Sequence, residues 1–173
     1  DPHAMNVLGI ETSCDETACA IVENGHKVLA SVIASQIDIH AATGGVVPEV
    51  AAREHVLKIV PVVEECLKNA GLKLSDIDAI AVTRGPGLLS SLIVGFSAAA
   101  TMARFYNIPI IPVHHVAGHI YSNWLGQTND ITEATDVKFP VMVLTVSGGH
   151  NELVLLKENM DFELIGETLD DAA

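Results

Sequence analysis

Val7-Leu8-Gly9-Ile10-Glu11-Thr12-Ser13-Cys14-Asp15-Glu16-Thr17-Ala18-Cys19-Ala20-Ile21-Val22-Glu23 is the stretch whose reading decides the fold. Residues 7–10 form a short apolar run that reads as a strand. Residues 11–16 read as a turn, and residues 17–23 return as a second strand. Asn24-Gly25 is a strong hairpin signal, and residues 27–35 make a third strand. Three antiparallel strands therefore open the chain.

After a polar loop containing Gly44-Gly45, Pro48 stands where proline favours a helix start. Val56, Leu57, Val60, Val63 and Leu67 recur at helical spacing, and Gly71 ends the pattern. Pro61 inside it predicts a kink or a break. Ser75 and Asp78 are placed to cap a brief turn, and a buried strand is expected at 79–83. Gly85-Pro86-Gly87 then leads into a nearly all-apolar helix at 88–106. Its Gly95, Ser97, Ala98, Ala99 and Ala100 let another backbone come close. A strand at 108–113 and a last helix follow. Three strands, then helix, strand, helix, strand, helix, is a ribonuclease-H-like βββαβαβα order, an α/β fold.

Residues 126–138 form a polar linker, after which the pattern restarts. Strands are expected at 141–146, 152–157 and 162–165, with Ser147-Gly148-Gly149-His150 as the turn between the first two. The restart reads as an internal duplication that stops at Asp170-Asp171-Ala172-Ala173, just where a helix is due. The expected division is a cloning remnant at 1–4, a first domain at 5–125, a linker at 126–139 and a truncated second copy at 140–173.

The 173 residues are 49% hydrophobic and 18% charged, so a core is available and disorder is not expected. The net charge of −13, with nine scattered Lys and Arg, excludes nucleic-acid capture by bulk electrostatics. An RNA substrate would need a local patch or a partner. Three cysteines match no disulfide or zinc spacing and suggest a reducing cytoplasm. No apolar run is read as reaching transmembrane length, no signal peptide is visible, and no membrane partner is expected.

Four sequence features could carry chemistry. His115 and His119 are four apart on the last helix of the first domain, so both imidazoles share one face and make half of a divalent-metal site. Asp15 and Glu16, adjacent in the first turn, are the candidate catalytic carboxylates; near phosphates they would act through a cation or ordered water. Gly148-Gly149 would let backbone N–H groups approach an anion, with the Ser147 hydroxyl beside them. Gly85-Pro86-Gly87-Leu88, at a helix start, reads foremost as a strand-to-helix connection. Glu49 and Arg53 are spaced for a surface ion pair. His55, His114 and His150 read as satisfied or exposed histidines.

Taken together these motifs resemble one family. Its pattern is carried by Gly9-Ile10-Glu11-Thr12-Ser13-Cys14-Asp15-Glu16-Thr17, by Gly44-Gly45-Val46-Val47-Pro48-Glu49 with Arg53 and His55, and by Thr83-Arg84-Gly85-Pro86-Gly87-Leu88. Val113-His114-His115-Val116-Ala117-Gly118-His119, Ser147-Gly148-Gly149-His150 and Gly166-Glu167 with the final Asp-Asp-Ala-Ala complete it. The sequence is similar, from Met5 onward, to the tRNA threonylcarbamoyladenosine synthases, the TsaD proteins formerly called O-sialoglycoprotein endopeptidases.

The resemblance implies a two-lobed actin-like ATPase fold. It implies transfer of a threonylcarbamoyl group from threonylcarbamoyl-adenylate to the exocyclic amine of the adenosine beside the tRNA anticodon. By the same resemblance His115 and His119 match two ligands of an iron or zinc ion, completed by an aspartate from a later part of such proteins. Thr145, Val146, Ser147, Gly148 and Gly149 match the segment that holds the adenylate or an adenine nucleotide, with magnesium optional. It further implies tRNA, a paralogous dimerisation partner and an ATPase accessory protein as partners. The present chain departs from the usual pattern at Ala100, Ala117 and Asn151-Glu152, which bears on positioning. As half of such a site it is expected to be inactive alone and to self-associate through its unfinished apolar surfaces.

Two alternatives compete. A metalloprotease wants Glu directly after the first histidine as general base, and Val116 stands there. A non-catalytic dimerisation partner would lack the histidine pair.

Overall fold

Alternation along the first strand sets the two faces of the main sheet. In β1 (Asn6–Glu11), Leu8 and Ile10 are buried on one face, while Gly9 and Glu11 belong to the other. The computed structural model describes residues 4–42, 44–126, 138–147, 150–158 and 161–169. β1 pairs antiparallel with β2 (Glu16–Glu23), and β2 with β3 (Lys27–Ser35). Asn24 and Gly25, both at positive φ, make the expected turn between β2 and β3.

The segment after β3, expected as a polar loop, begins with a short helix, α1 (Ile37–Ala41). It forms around a buried pair, His40 Nε2 lying 2.9 Å from Gln36 Oε1. α2 (Pro48–Ala70) follows and ends at Gly71, in the left-handed region. Pro61 does not break it. The lost hydrogen bond and ring clash cost about 3 kcal/mol. Five side chains flanking the proline (Ile59, Val62, Val63, Cys66 and Leu67) are buried, each contributing up to about 1.5–3 kcal/mol. Packing therefore wins, and Pro61 itself is exposed.

A 3-10 turn, Leu74–Asp76, precedes β4 (Ala79–Gly85). Asp76, not Asp78, closes it, Oδ2 accepting from the Lys73 N–H at 2.8 Å. Asp78 instead accepts from the Asn6 N–H at 2.8 Å and ties this turn to β1. β4 runs parallel to β1, and after α3 (Leu89–Tyr106) β5 (Ile110–His114) runs parallel to β4. α4 (His115–Ser122) begins directly after β5. The five-stranded order is β3-β2-β1-β4-β5, the ribonuclease-H-like arrangement.

α2 and α3 cover one face of this sheet. Leu8, Ile10, Ile21, Ile80 and Val82 meet Ile59, Val62 and Cys66 of α2 and Ala99 and Ala103 of α3 in one core. By length and composition α3 is long and apolar enough to cross a membrane, contrary to the sequence reading. Ser91, Gly95, Ala99 and Ala103 are its buried residues, 22% of the helix, and Ala99 and Ala103 belong to the core shared with the sheet.

β6 (Val141–Ser147), β7 (His150–Leu156) and β8 (Phe162–Glu167) form a separate antiparallel sheet in the order β6-β7-β8. This repeats the pairing of β1, β2 and β3. The expected linker lies largely at 127–137, outside the described residues, as does the acidic pair Asp170-Asp171. Gly126 still belongs to the first sheet, bridging Lys27 at the β3 edge. Among the described residues, ion pairs join Lys27 to Glu23 and Lys157 to Glu163; the expected Glu49–Arg53 pair is not formed.

Candidate functional site

The carboxyl ends of β1, β4 and β5 lie at one edge of the main sheet, where open α/β sheets hold their ligands. α4 starts there with no loop, His114 being its extended N-cap and His115 its first residue. One turn on, His119 falls on the same face. The two Nε2 atoms are 3.1 Å apart, with the rings nearly perpendicular at 86°. Two imidazole nitrogens each about 2.0–2.1 Å from a shared ion would fit that separation. Among the described residues no third His, Cys, Asp or Glu joins them in a cluster able to hold an ion.

A carboxylate absent from the expected site stands behind this pair. Ile10 of β1 lies opposite Val82 of β4, so the next residues, Glu11 and Thr83, sit side by side. Glu11 Oε2 accepts from Thr83 Oγ1 at 2.5 Å and lies 3.1 Å from His115 Nδ1; Oε1 accepts from the Ser13 N–H. Burial pushes the Glu11 carboxyl up, but the hydrogen bonds from Ser13, Thr83 and His115 together hold it below the usual carboxylate range. Ser13 Oγ is also 3.2 Å from His115 Nδ1.

The first turn is clamped in place by two glycines. Gly87 has φ +155, and a Cβ there would lie 2.6 Å from the Ser13 carbonyl oxygen. On α3, a Cβ at Gly95 would fall 2.3 Å from Thr12 Oγ1. The same contacts admit two hydrogen bonds, Leu88 N–H to the Ser13 carbonyl at 2.8 Å and Thr12 Oγ1 to the Ser91 carbonyl at 2.9 Å. The Gly85-Pro86-Gly87 segment is thus the strand-to-helix connection expected, the N–H of the α3 N-cap residue Leu88 already taken by the turn.

The histidines also face the second sheet. His115, His119, Asn123 and Pro86 share with Thr145 and Val146 of β6 a cavity of about 590 Å³. Two of the five residues expected to hold a nucleotide therefore meet the expected metal pair. Ser147 ends β6, and Gly148 and Gly149 lie outside the described residues. Asp15 and Glu16 lie elsewhere: the Asp15 carbonyl accepts from the Gln36 N–H, and Glu16 opens β2 opposite Ser35, exposed. Among the described contacts neither carboxylate meets His115 or His119. The missed Glu11 had one legible signal, a carboxylate ending an apolar strand on the face opposite Leu8 and Ile10.

His55 is fully buried and satisfied, as expected, between Thr17 Oγ1 at 2.7 Å and the Cys14 carbonyl at 2.9 Å. The three cysteines are free thiols. Cys66 Sγ donates to the Cys19 carbonyl inside the core.

Comparison with known proteins gives a consistent family likeness. The sequence model of the TsaD family, described as tRNA N6-adenosine threonylcarbamoyltransferase, matches residues 27–173. The protein of that name from Bacillus subtilis strain 168 is 57% identical over 98% of the chain and 46% of its own length. Its namesake from Listeria monocytogenes serotype 4b is 53% identical over 96% of the chain and 46% of its own length. The chain thus spans about half the length of the curated relatives it matches. Among solved structures, YeaZ from Pseudomonas aeruginosa superposes with a TM-score of 0.58 at 18% identity, over 94% of this chain and 64% of that one, a likeness of fold.

Proposed function

The chain belongs to the tRNA N6-adenosine threonylcarbamoyltransferase family, and from that premise we propose that it forms the metal-binding and donor-binding part of a tRNA-modifying acyltransferase. The reaction is transfer of the threonylcarbamoyl group from threonylcarbamoyl-adenylate to the exocyclic amine of the adenosine next to the anticodon, with AMP leaving. One observation carries this reading: His115, His119, Thr145 and Val146 line a single cavity large enough for a nucleotide-sized donor.

Each side chain has a task in it. His115 and His119 are the chain's two ligands to a divalent ion; two imidazoles accept iron or zinc alike. Such an ion, when bound, polarises the acyl donor as a Lewis acid. Thr145 to Gly149 border the adenylate or an adenine nucleotide, with magnesium where the phosphates require it. Asp15 and Glu16, in the first turn and at the start of β2, act through ordered water or a cation. The resemblance puts a further ligand, an aspartate, in a later part of such proteins, so on this reading the chain alone is inactive.

The same reading takes residues 5–125 as the first lobe, 126–139 as the linker and 140–173 as the start of the second. A cytoplasmic location suits a tRNA substrate and three free thiols. An apolar groove of about 610 Å³ between α2 and α3, with Val56, Val60 and Ile93 exposed along it, supports docking of a paralogous partner or a second copy. An ATPase accessory protein would bind elsewhere.

The test is threonine incorporation into tRNA by the chain joined to the remainder of the relatives' length, supplied with the adenylate-forming enzyme and accessory proteins. The double variant His115→Ala/His119→Ala should lose both transfer and bound metal. Unchanged transfer would remove the pair from the active site.

A further inference from the structure

Glu11 has no free role as an acid or base in this fold. Its two carboxylate oxygens already accept from the Ser13 N–H and the Thr83 hydroxyl, and His115 Nδ1 approaches Oε2 at 3.1 Å. An ionised carboxylate offers no proton, so a hydrogen bond there takes its proton from Nδ1, and Ser13 Oγ, 3.2 Å from the same nitrogen, is then left to accept from Nδ1 or to donate to Glu11. The ring is then the Nδ1–H tautomer, with the Nε2 lone pair free. That lone pair points at His119, whose Nε2 is 3.1 Å away and must carry the proton between them.

We propose that Glu11 is a positioning residue that locks His115 in the Nδ1–H tautomer, making His115 the preformed half of the cation site and His119 the half that adapts. To hold a cation at Nε2, His119 would give up its Nε2 proton to solvent and take one from solvent at Nδ1, remaining a neutral ring. No net charge is moved on either histidine. Thr83 and Ser13 complete the device from β4 and the first turn, so two separate pieces of chain, 11–13 and β4, fix one imidazole. A carboxylate behind a ligating histidine orients the ring and raises its basicity.

The inference rests on reading His115 and His119 as a metal pair, yet its first test needs neither metal nor tRNA. Long-range nitrogen–proton NMR on the 173-residue chain at about pH 8 reports each tautomer. The expected result is Nδ1–H at His115 and Nε2–H at His119. Glu11→Gln, whose carbonyl still accepts, keeps the His115 tautomer; Glu11→Ala lets both tautomers appear. In a cobalt(II) titration Glu11→Ala should bind about ten- to hundredfold more weakly than wild type, with Glu11→Gln between. Nε2–H at His115 in the wild type overturns the proposal. So does wild-type cobalt affinity in Glu11→Ala with the remaining spectrum unchanged. Should Glu11→Ala fail to fold, the wild-type tautomer and Glu11→Gln decide. A transferase assay insensitive to His115 would sink the proposed function and leave the tautomer result standing.

Discussion

Glu11 Oε2 and His115 Nδ1 lie 3.1 Å apart across 104 residues of sequence. The contact joins the end of β1 to the start of α4 and makes the candidate site part of the fold's own hydrogen bonding. Its first consequence concerns acid stability. The folded state holds the Glu11 carboxyl below its ordinary value of 4.5. Its contribution is therefore fully present above about pH 4.5 and lost as pH falls through the lower folded value. Urea unfolding at steps from about pH 6 down to 3 should show a smaller loss of stability in Glu11→Gln than in wild type. Parallel curves would mean that the carboxylate does not feel its three donors.

A second prediction follows from Gly95. Adding a methyl group there drives it into the Thr12 side chain, and Gly95→Ala should destabilise the chain by about 1–3 kcal/mol. Removing the obstacle should relieve most of this: in a Thr12→Ala background the same change should cost much less. Equal costs in the two backgrounds would show that the close approach of α3 to the first turn is not the cause.

The thiols give a third. Burial, the Asp15 charge and Glu11 together push the Cys14 thiol up. Cys19 and Cys66 are shut inside the core, and the neighbouring Cys66 thiol together with burial pushes the Cys19 thiol up as well. A chromogenic disulfide reagent should modify one thiol in the native chain, slowly, and three in urea. Asp15→Asn should hasten the native reaction. Two fast-reacting thiols would contradict the packing of α2 on β2.

The fourth contrasts the two sides of the helical layer. Ile80, fully buried under α2 and α3, should cost about 2–5 kcal/mol when cut to alanine. Val60, exposed on the α2–α3 groove, should leave unfolding within about 0.5 kcal/mol when changed to glutamate. The same Val60→Glu change should hold the chain monomeric by light scattering at concentrations where wild type associates. A wild-type mass of one chain at every concentration would remove the groove as a self-association surface.

Strand order was legible because apolar runs of period 2 and 3.6 are local properties. Residues 27–35 and the helix starting at Pro48 stand where their patterns put them. At Pro61 the same local reasoning left a break open, since it could not weigh the buried neighbours against one lost hydrogen bond. It also chose Asp78 over Asp76, because nothing local shows that Asn6, distant in sequence, claims Asp78.

The site divides along the same line. The sequence by itself determined the histidine pair, because a four-residue spacing on a helix fixes relative direction without help from the rest of the chain. Only the tertiary structure decided which carboxylate stands beside it. Asp15 and Glu16 are adjacent and conspicuous, but the turn carries them away, while the parallel register of β1 and β4 brings Glu11 beside Thr83 and under His115. Such a register is set by burying Leu8, Ile10, Ile80 and Val82 together on one face. Hydrophobic packing on the far side of the sheet thus selects the polar partner on this side.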